Sequence, residues 1–128
     1  MILLDTCTLL WLAIEPDKLS SAARKGITSA GEFAYTSAIS AWEIAWKHRC
    51  RKLKLKLAPE AWWPLALERH ALKELPISAA IAQRSASLPS LHRDPADRFL
   101  IATAQEHNLT LLSPDPNIRQ YPDLKSLW

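Results

Sequence analysis

The sequence predicts an α/β fold, a three-layer sandwich with a central, mostly parallel sheet flanked by helices. Short strand-like runs and helix-like segments alternate along the chain, which implies crossover connections and helices on both faces of one sheet. The first run, Ile2-Leu3-Leu4, is uniformly apolar, as suits a strand buried on both sides. With 128 residues, 48% of them hydrophobic and only 2 glycines, the chain reads as one globular domain over residues 1–128.

The elements follow in order. Asp5 ends the first strand. Ser20 and Ser21 are good caps for a helix that Gly26 is suited to stop, so a helix is expected around residues 20–26. Residues 33–36 read as a second strand, and Ser37 or Ser40 caps the helix after it. A further helix fits residues 59 to about 70. Residues 75–77 suit a third strand, at a sheet edge because Pro76 cannot donate to a ladder. Ser78 caps the next helix. A long helix opens at His92-Arg93-Asp94-Pro95 and runs to about Glu106, and residues 109–112 form the clearest strand.

Several classes are excluded or disfavoured. No apolar stretch approaches the roughly 18 residues that a bilayer span needs, and an acid at Asp5 argues against a secretory signal. Cys7 and Cys50 belong to no Cys-x-x-Cys pair, which points to reduced thiols and a cytoplasmic location rather than a zinc knuckle. A net charge of +3 is compatible with an anionic partner but too small to demand one.

In a parallel sheet all strands end at one edge, and ligands bind in the crevice outside those ends. Asp5 and Asp115 should reach that edge, and Glu43 and Asp97 lie on helices that begin there. Glu43 is the only acid in a segment with almost no polar face. Asp97 shares a stripe with Leu100, Ile101 and Ala104, which puts a charge at the head of a core-facing row. Clustered carboxylates repel one another unless their pKa values rise or cations bind. Oxygen-rich ligation suits Mg²⁺ or Mn²⁺, and those ions suit phosphoryl chemistry. Structural readings stand beside these: Asp94 as a helix cap, Glu43 in a capping box with Ser40 or paired with Lys47, and Asp115 as a turn residue.

Four segments carry a resemblance. Leu3-Leu4-Asp5-Thr6, Ser37-Ala38-Ile39-Ser40-Ala41-Trp42-Glu43-Ile44, His92-Arg93-Asp94-Pro95-Ala96-Asp97-Arg98-Phe99-Leu100-Ile101-Ala102 and Leu111-Leu112-Ser113-Pro114-Asp115 resemble, in order, the motifs of PIN-domain nucleases, particularly VapC-like toxins. The resemblance implies a Mg²⁺- or Mn²⁺-dependent endoribonuclease, the toxin of a type II toxin–antitoxin pair, usually dimeric and held inactive by a small antitoxin. It implies hydrolysis of an RNA phosphodiester by metal-activated water, leaving a 5′-phosphate and a 3′-hydroxyl. The family's acidic quartet maps onto Asp5, Glu43, Asp97 and Asp115, with Asp94 as an added acid near the metal and Thr6 and Ser113 as hydroxyls that orient a ligand or water. Ser113-Pro114-Asp115 departs from the family, which more often has Thr, a variable residue, then Asp.

Lys47, Arg49, Arg51, Lys52, Lys54 and Lys56 gather basic charge into one stretch, interleaved with Leu53, Leu55 and Leu57. Such a stretch suits salt-sensitive contacts to RNA phosphates, or equally a solvated segment that buries its leucines. Arg93 and Arg98 are secondary candidates for RNA contact. The four histidines are assigned surface or packing roles, and the 6 tryptophans core or interface roles. The competing functions are a non-catalytic PIN-fold binding or regulatory module and another Mg²⁺-dependent phosphohydrolase; against the second, Cys7 stands where haloacid-dehalogenase-like enzymes repeat an acid.

Overall fold

Strand β1 (Ile2–Leu4) is the centre of the sheet, and its three residues divide the core. Side chains alternate across a strand, so Ile2 and Leu4 enter one apolar cluster, with Leu9, Ala23 and Ile44, while Leu3 enters the other, with Leu100, Ile101 and Ala104. The computed structural model describes residues 1–128. Four strands join β1: β2 (Ala34–Ser37), β3 (Lys73–Leu75), β4 (Thr110–Leu112) and β5 (Ser126–Leu127). Their order is β3-β2-β1-β4-β5, with every neighbouring pair parallel. The expected three-layer α/β architecture is therefore present.

The helices are α1 (Thr6–Ile14), α2 (Ser21–Ala30), α3 (Ala38–Arg49), α4 (Pro59–Arg69), α5 (Ala79–Ser87), α6 (Pro95–Glu106) and the short α7 (Pro116–Arg119). Helices α1, α2 and α3 pack on the Ile2/Leu4 side, and α6 packs on the Leu3 side. Ser20, Ser37 and Ser78 cap α2, α3 and α5 through their side chains. No helix is long and apolar enough to cross a membrane.

The structure departs from the sequence reading at four elements. Helix α1 is absent from that reading, because Cys7 and Leu9 to Ile14 are apolar around the whole circumference and show no stripe. Helix α2 does not stop at Gly26 but runs on to Ala30 and ends before Gly31, whose φ is +56°. Gly26 serves packing instead: a Cβ there would lie 3.0 Å from Leu127 Cδ2 on β5. Strand β3 lies two residues earlier than expected, since Pro76 ends it rather than joining it, although β3 is an edge strand as the proline implies. Strand β5 has 2 residues, too few for a periodic signal.

Candidate active site

The sheet order creates a switch point. From β1 the chain moves to β2 and β3 on one side, then returns to β4 on the other. Connections leaving β1 and β4 therefore diverge, which opens a crevice at their carboxyl ends. Asp5 directly follows β1, and Ser113-Pro114-Asp115 follows β4. A cleft of about 270 Å³ lies there, lined by Asp5, Thr6, Glu43, Lys47, Asp97 and Asp115 among others. Four carboxylates from four separated segments thus share one cleft.

Three aspartates here are helix N-caps. Asp5 Oδ1 accepts from the Thr8 N–H at 2.7 Å and starts α1; Asp94 Oδ1 caps α6 at Ala96, and Asp115 Oδ1 caps α7 at Asn117. Capping locks each carboxyl at a defined place on the rim. Asp5, 3% exposed, has its pKa raised, first by burial and against the hydrogen bonds from Ser113 and Thr8; Glu43 adds to the rise. Asp97 is pushed up to about 7, chiefly by burial, then by the charges of Asp94 and Glu43, with His92 opposing. Glu43 does not complete a capping box. Its Oε2 pairs with Lys47 Nζ at 3.0 Å, while Ser40 Oγ bonds Thr6 Oγ1 at 2.9 Å. Ser113 Oγ accepts from the Asp115 N–H, which links the two acids through one hydroxyl.

His92 does not have the surface or packing role that the sequence suggests: its Nε2 stands 2.8 Å from Asp97 Oδ2 and 3.2 Å from Asp115 Oδ2. These three side chains are close enough to share one ion. The signal available was position: His92 lies two residues before the Asp94 cap of the helix that carries Asp97. Arg98 lies elsewhere than expected. Its guanidinium donates to the carbonyls of Ser85, Leu88, Pro89 and His92 and to the Tyr121 hydroxyl, so it clamps a loop instead of facing RNA. Arg93 is exposed, as are Arg49, Arg51, Lys52, Lys54 and Lys56, and Leu53 and Leu55 pack on the core. Trp62 and Trp63 pack against the core, but Trp42 and Trp46 are 56% and 53% exposed and stacked, 6.3 Å between ring centroids.

The donors fit a hard divalent cation. They are carboxylate oxygens, and Glu43 Oε1 is buried with no hydrogen-bond partner, which suits it to a cation. Two of the acids also resist ionising without compensating positive charge.

Residues 2–124 match the PIN domain family. The chain belongs to it. Ribonuclease VapC22 of Mycobacterium tuberculosis is 35% identical over 130 residues, covering 99% of this PIN domain chain and 98% of that relative. Among solved structures, VapBC2 from Rickettsia felis, bound to a DNA fragment from its promoter, superposes with a TM-score of 0.73 at 18% identity, covering 98% of this chain and 97% of that one. DNA-bound VapBC from Salmonella typhimurium gives 0.72 at 15% identity, with 98% and 97% covered. FitAcB from Neisseria gonorrhoeae gives 0.66 at 24%, with 98% and 96% covered. These likenesses independently match the PIN fold over nearly the whole chain.

Proposed function

We propose that this PIN domain is a Mg²⁺- or Mn²⁺-dependent endoribonuclease and the toxin of a toxin–antitoxin pair. The observation that carries the reading is the meeting of Asp5, Glu43, Asp97 and Asp115 in one cleft at the sheet's switch point. The ribonuclease relative at 35% identity supports it.

Asp5 and Asp97 would be the principal holders of the cation, with Glu43 and Asp115 completing the set or orienting a water. A bound divalent cation supplies Lewis acidity, making water nucleophilic at neutral pH and offsetting charge on the phosphodiester. The caps on α1, α6 and α7 fix the carboxylates before substrate arrives, which limits reorganisation during the reaction. Asp94 acts from the cap of α6 as a nearby negative charge. Thr6 and Ser113 hold the walls of the cleft through their hydroxyls. Lys47, at the cleft, and Arg49, Arg51 and Lys52, exposed beyond it, are placed to meet RNA phosphates; Lys54, Lys56 and Arg93 add to the positive surface.

Lys54 and Lys56 also border the surface offered to a protein partner. A groove of about 740 Å³ between the end of α1 and α4 has a largely apolar lining with Lys54, Lys56 and Arg69 in it, which suits an acidic amphipathic segment of a small antitoxin. The exposed Trp42–Trp46 pair suits contact with a second copy.

The test is cleavage of total RNA by antitoxin-free protein with Mg²⁺, with Mn²⁺ and with EDTA, mapping the new 5′ ends. Discrete cuts that require metal and disappear in Asp97→Asn are expected. Absence of cuts in every metal, or equal cutting by the variant, would refute the reading.

A further inference from the structure

We propose that His92 is a latch on the metal centre: its Nε2–H occupies the oxygens of Asp97 and Asp115 that a divalent cation needs, so metal binding requires the imidazole to swing away. The inference rests on the reading of the cleft as a metal site.

The tautomer gives the direction of the effect. His92 Nδ1 accepts from the Asp94 backbone N–H at 3.3 Å, so the ring proton belongs on Nε2. A histidine that ligates a metal through one nitrogen ordinarily donates from the other. Here the other nitrogen is an acceptor, so the protonated Nε2 faces the acids and stands where the ion would lie. The oxygen inventory agrees. Asp115 Oδ1 accepts from the Asn117 N–H at 2.8 Å, and Oδ2 faces His92 at 3.2 Å, so the imidazole stands against the oxygen that the cap leaves unengaged. Asp97 Oδ2 is covered by the same nitrogen at 2.8 Å.

The latch is built to release at the side chain. Nε2 is buried and close to both oxygens but makes no aligned hydrogen bond to either, so no directed bond has to break for the ring to leave. The backbone behind it is fixed: Arg98 donates to the carbonyls of Pro89 and His92 through Nη1 and to those of Ser85 and Leu88 through Nη2. Rotation of the imidazole frees the carboxylates without moving the loop.

The test is calorimetric titration of Mn²⁺ into the metal-free full-length chain for wild type, His92→Ala, His92→Gln and Asp97→Asn, with pulsed EPR of the Mn²⁺-loaded proteins. His92→Ala should bind Mn²⁺ about tenfold more tightly, the scale of one charge-assisted contact. His92→Gln, which keeps a donor, should fall between, and wild type should show no imidazole nitrogen coupled to Mn²⁺. Weaker binding by His92→Ala together with nitrogen coupling in the wild type would make His92 a ligand and overturn the proposal. Equal affinities also overturn it, and loss of binding in Asp97→Asn then leaves the reading of the cleft intact. Failure of both wild type and His92→Ala to bind Mn²⁺ overturns the latch and the metal site together.

Discussion

Glu43 and Lys47, one helical turn apart on α3, form an ion pair of 3.0 Å that engages Oε2 and leaves Oε1 buried without a hydrogen-bond partner. The pair sets an ammonium beside a cluster of acids, so a phosphate entering the cleft meets positive charge at the point where it is otherwise repelled.

Removing that ammonium should weaken both folding and binding. Lys47 is 41% exposed at its side chain but its partner Glu43 is buried, so Lys47→Ala leaves a buried carboxylate unpaired and should lower stability by about 1–3 kcal/mol. Its RNA affinity should fall, with the slope of log affinity against log salt reduced by about one. Binding to a nonhydrolysable RNA over a salt series measures both.

Asp5 serves as helix cap and acid at once, and two substitutions separate the roles. Asp5→Asn keeps an oxygen for the Thr8 N–H while removing a buried charge, so the metal-free protein should be at least as stable as wild type and inactive. Asp5→Ala loses the cap as well and should be less stable than Asp5→Asn by about 1 kcal/mol. Thermal melts paired with RNA cleavage assays read the difference.

Stability and metal affinity should respond to pH in opposite directions. Asp97 titrates near 3.8 when unfolded and at about 7 in the fold, so over that window the folded state binds more protons. The contribution of Asp97 to stability is therefore full below the lower value and lost as pH rises through the upper one. Metal-free protein should be easier to denature at pH 8 than at pH 5. Mn²⁺ affinity should rise across the same interval, because the ion takes the ionised form. Urea melts without metal and Mn²⁺ titrations at each pH measure the two trends; a rise of metal-free stability with pH would contradict the assignment.

Arg98 should behave as a structural residue. Arg98→Ala leaves the carbonyls of Ser85, Leu88, Pro89 and His92 without its donors and should destabilise the fold by about 2–3 kcal/mol. Arg98→Lys should recover little of this, since one ammonium cannot reproduce the planar fork. Denaturant melts test it. Unchanged stability with weakened RNA binding would return Arg98 to the RNA surface.

Much of the fold was legible because it depends on local pattern. The apolar run Ile2-Leu3-Leu4, the serine caps and the Asp94-Pro95 helix start each act within a few residues, where composition and spacing decide the conformation. The edge position of β3 followed from Pro76 in the same way. Elements whose stability comes from distant partners were not legible: α1 has no polar face to mark it, and β5 is too short for a pattern and forms by pairing with β4. Gly26 resembled a helix stop because its actual constraint, the side chain of Leu127, is far away in sequence.

The sequence by itself determined the PIN domain's α/β order, the identity of the acids and their positions at strand ends and helix starts. Tertiary structure alone decided which charges meet. Asp5 and Asp97 acquire raised pKa values only through burial among neighbours brought from other segments. His92 enters the cluster, and Arg98 leaves the expected RNA surface, because side-chain direction and contact distance depend on how the loop before α6 packs against α5 and Tyr121. Local pattern decides backbone conformation, whereas electrostatic coupling falls off with distance in space and follows no spacing along the chain.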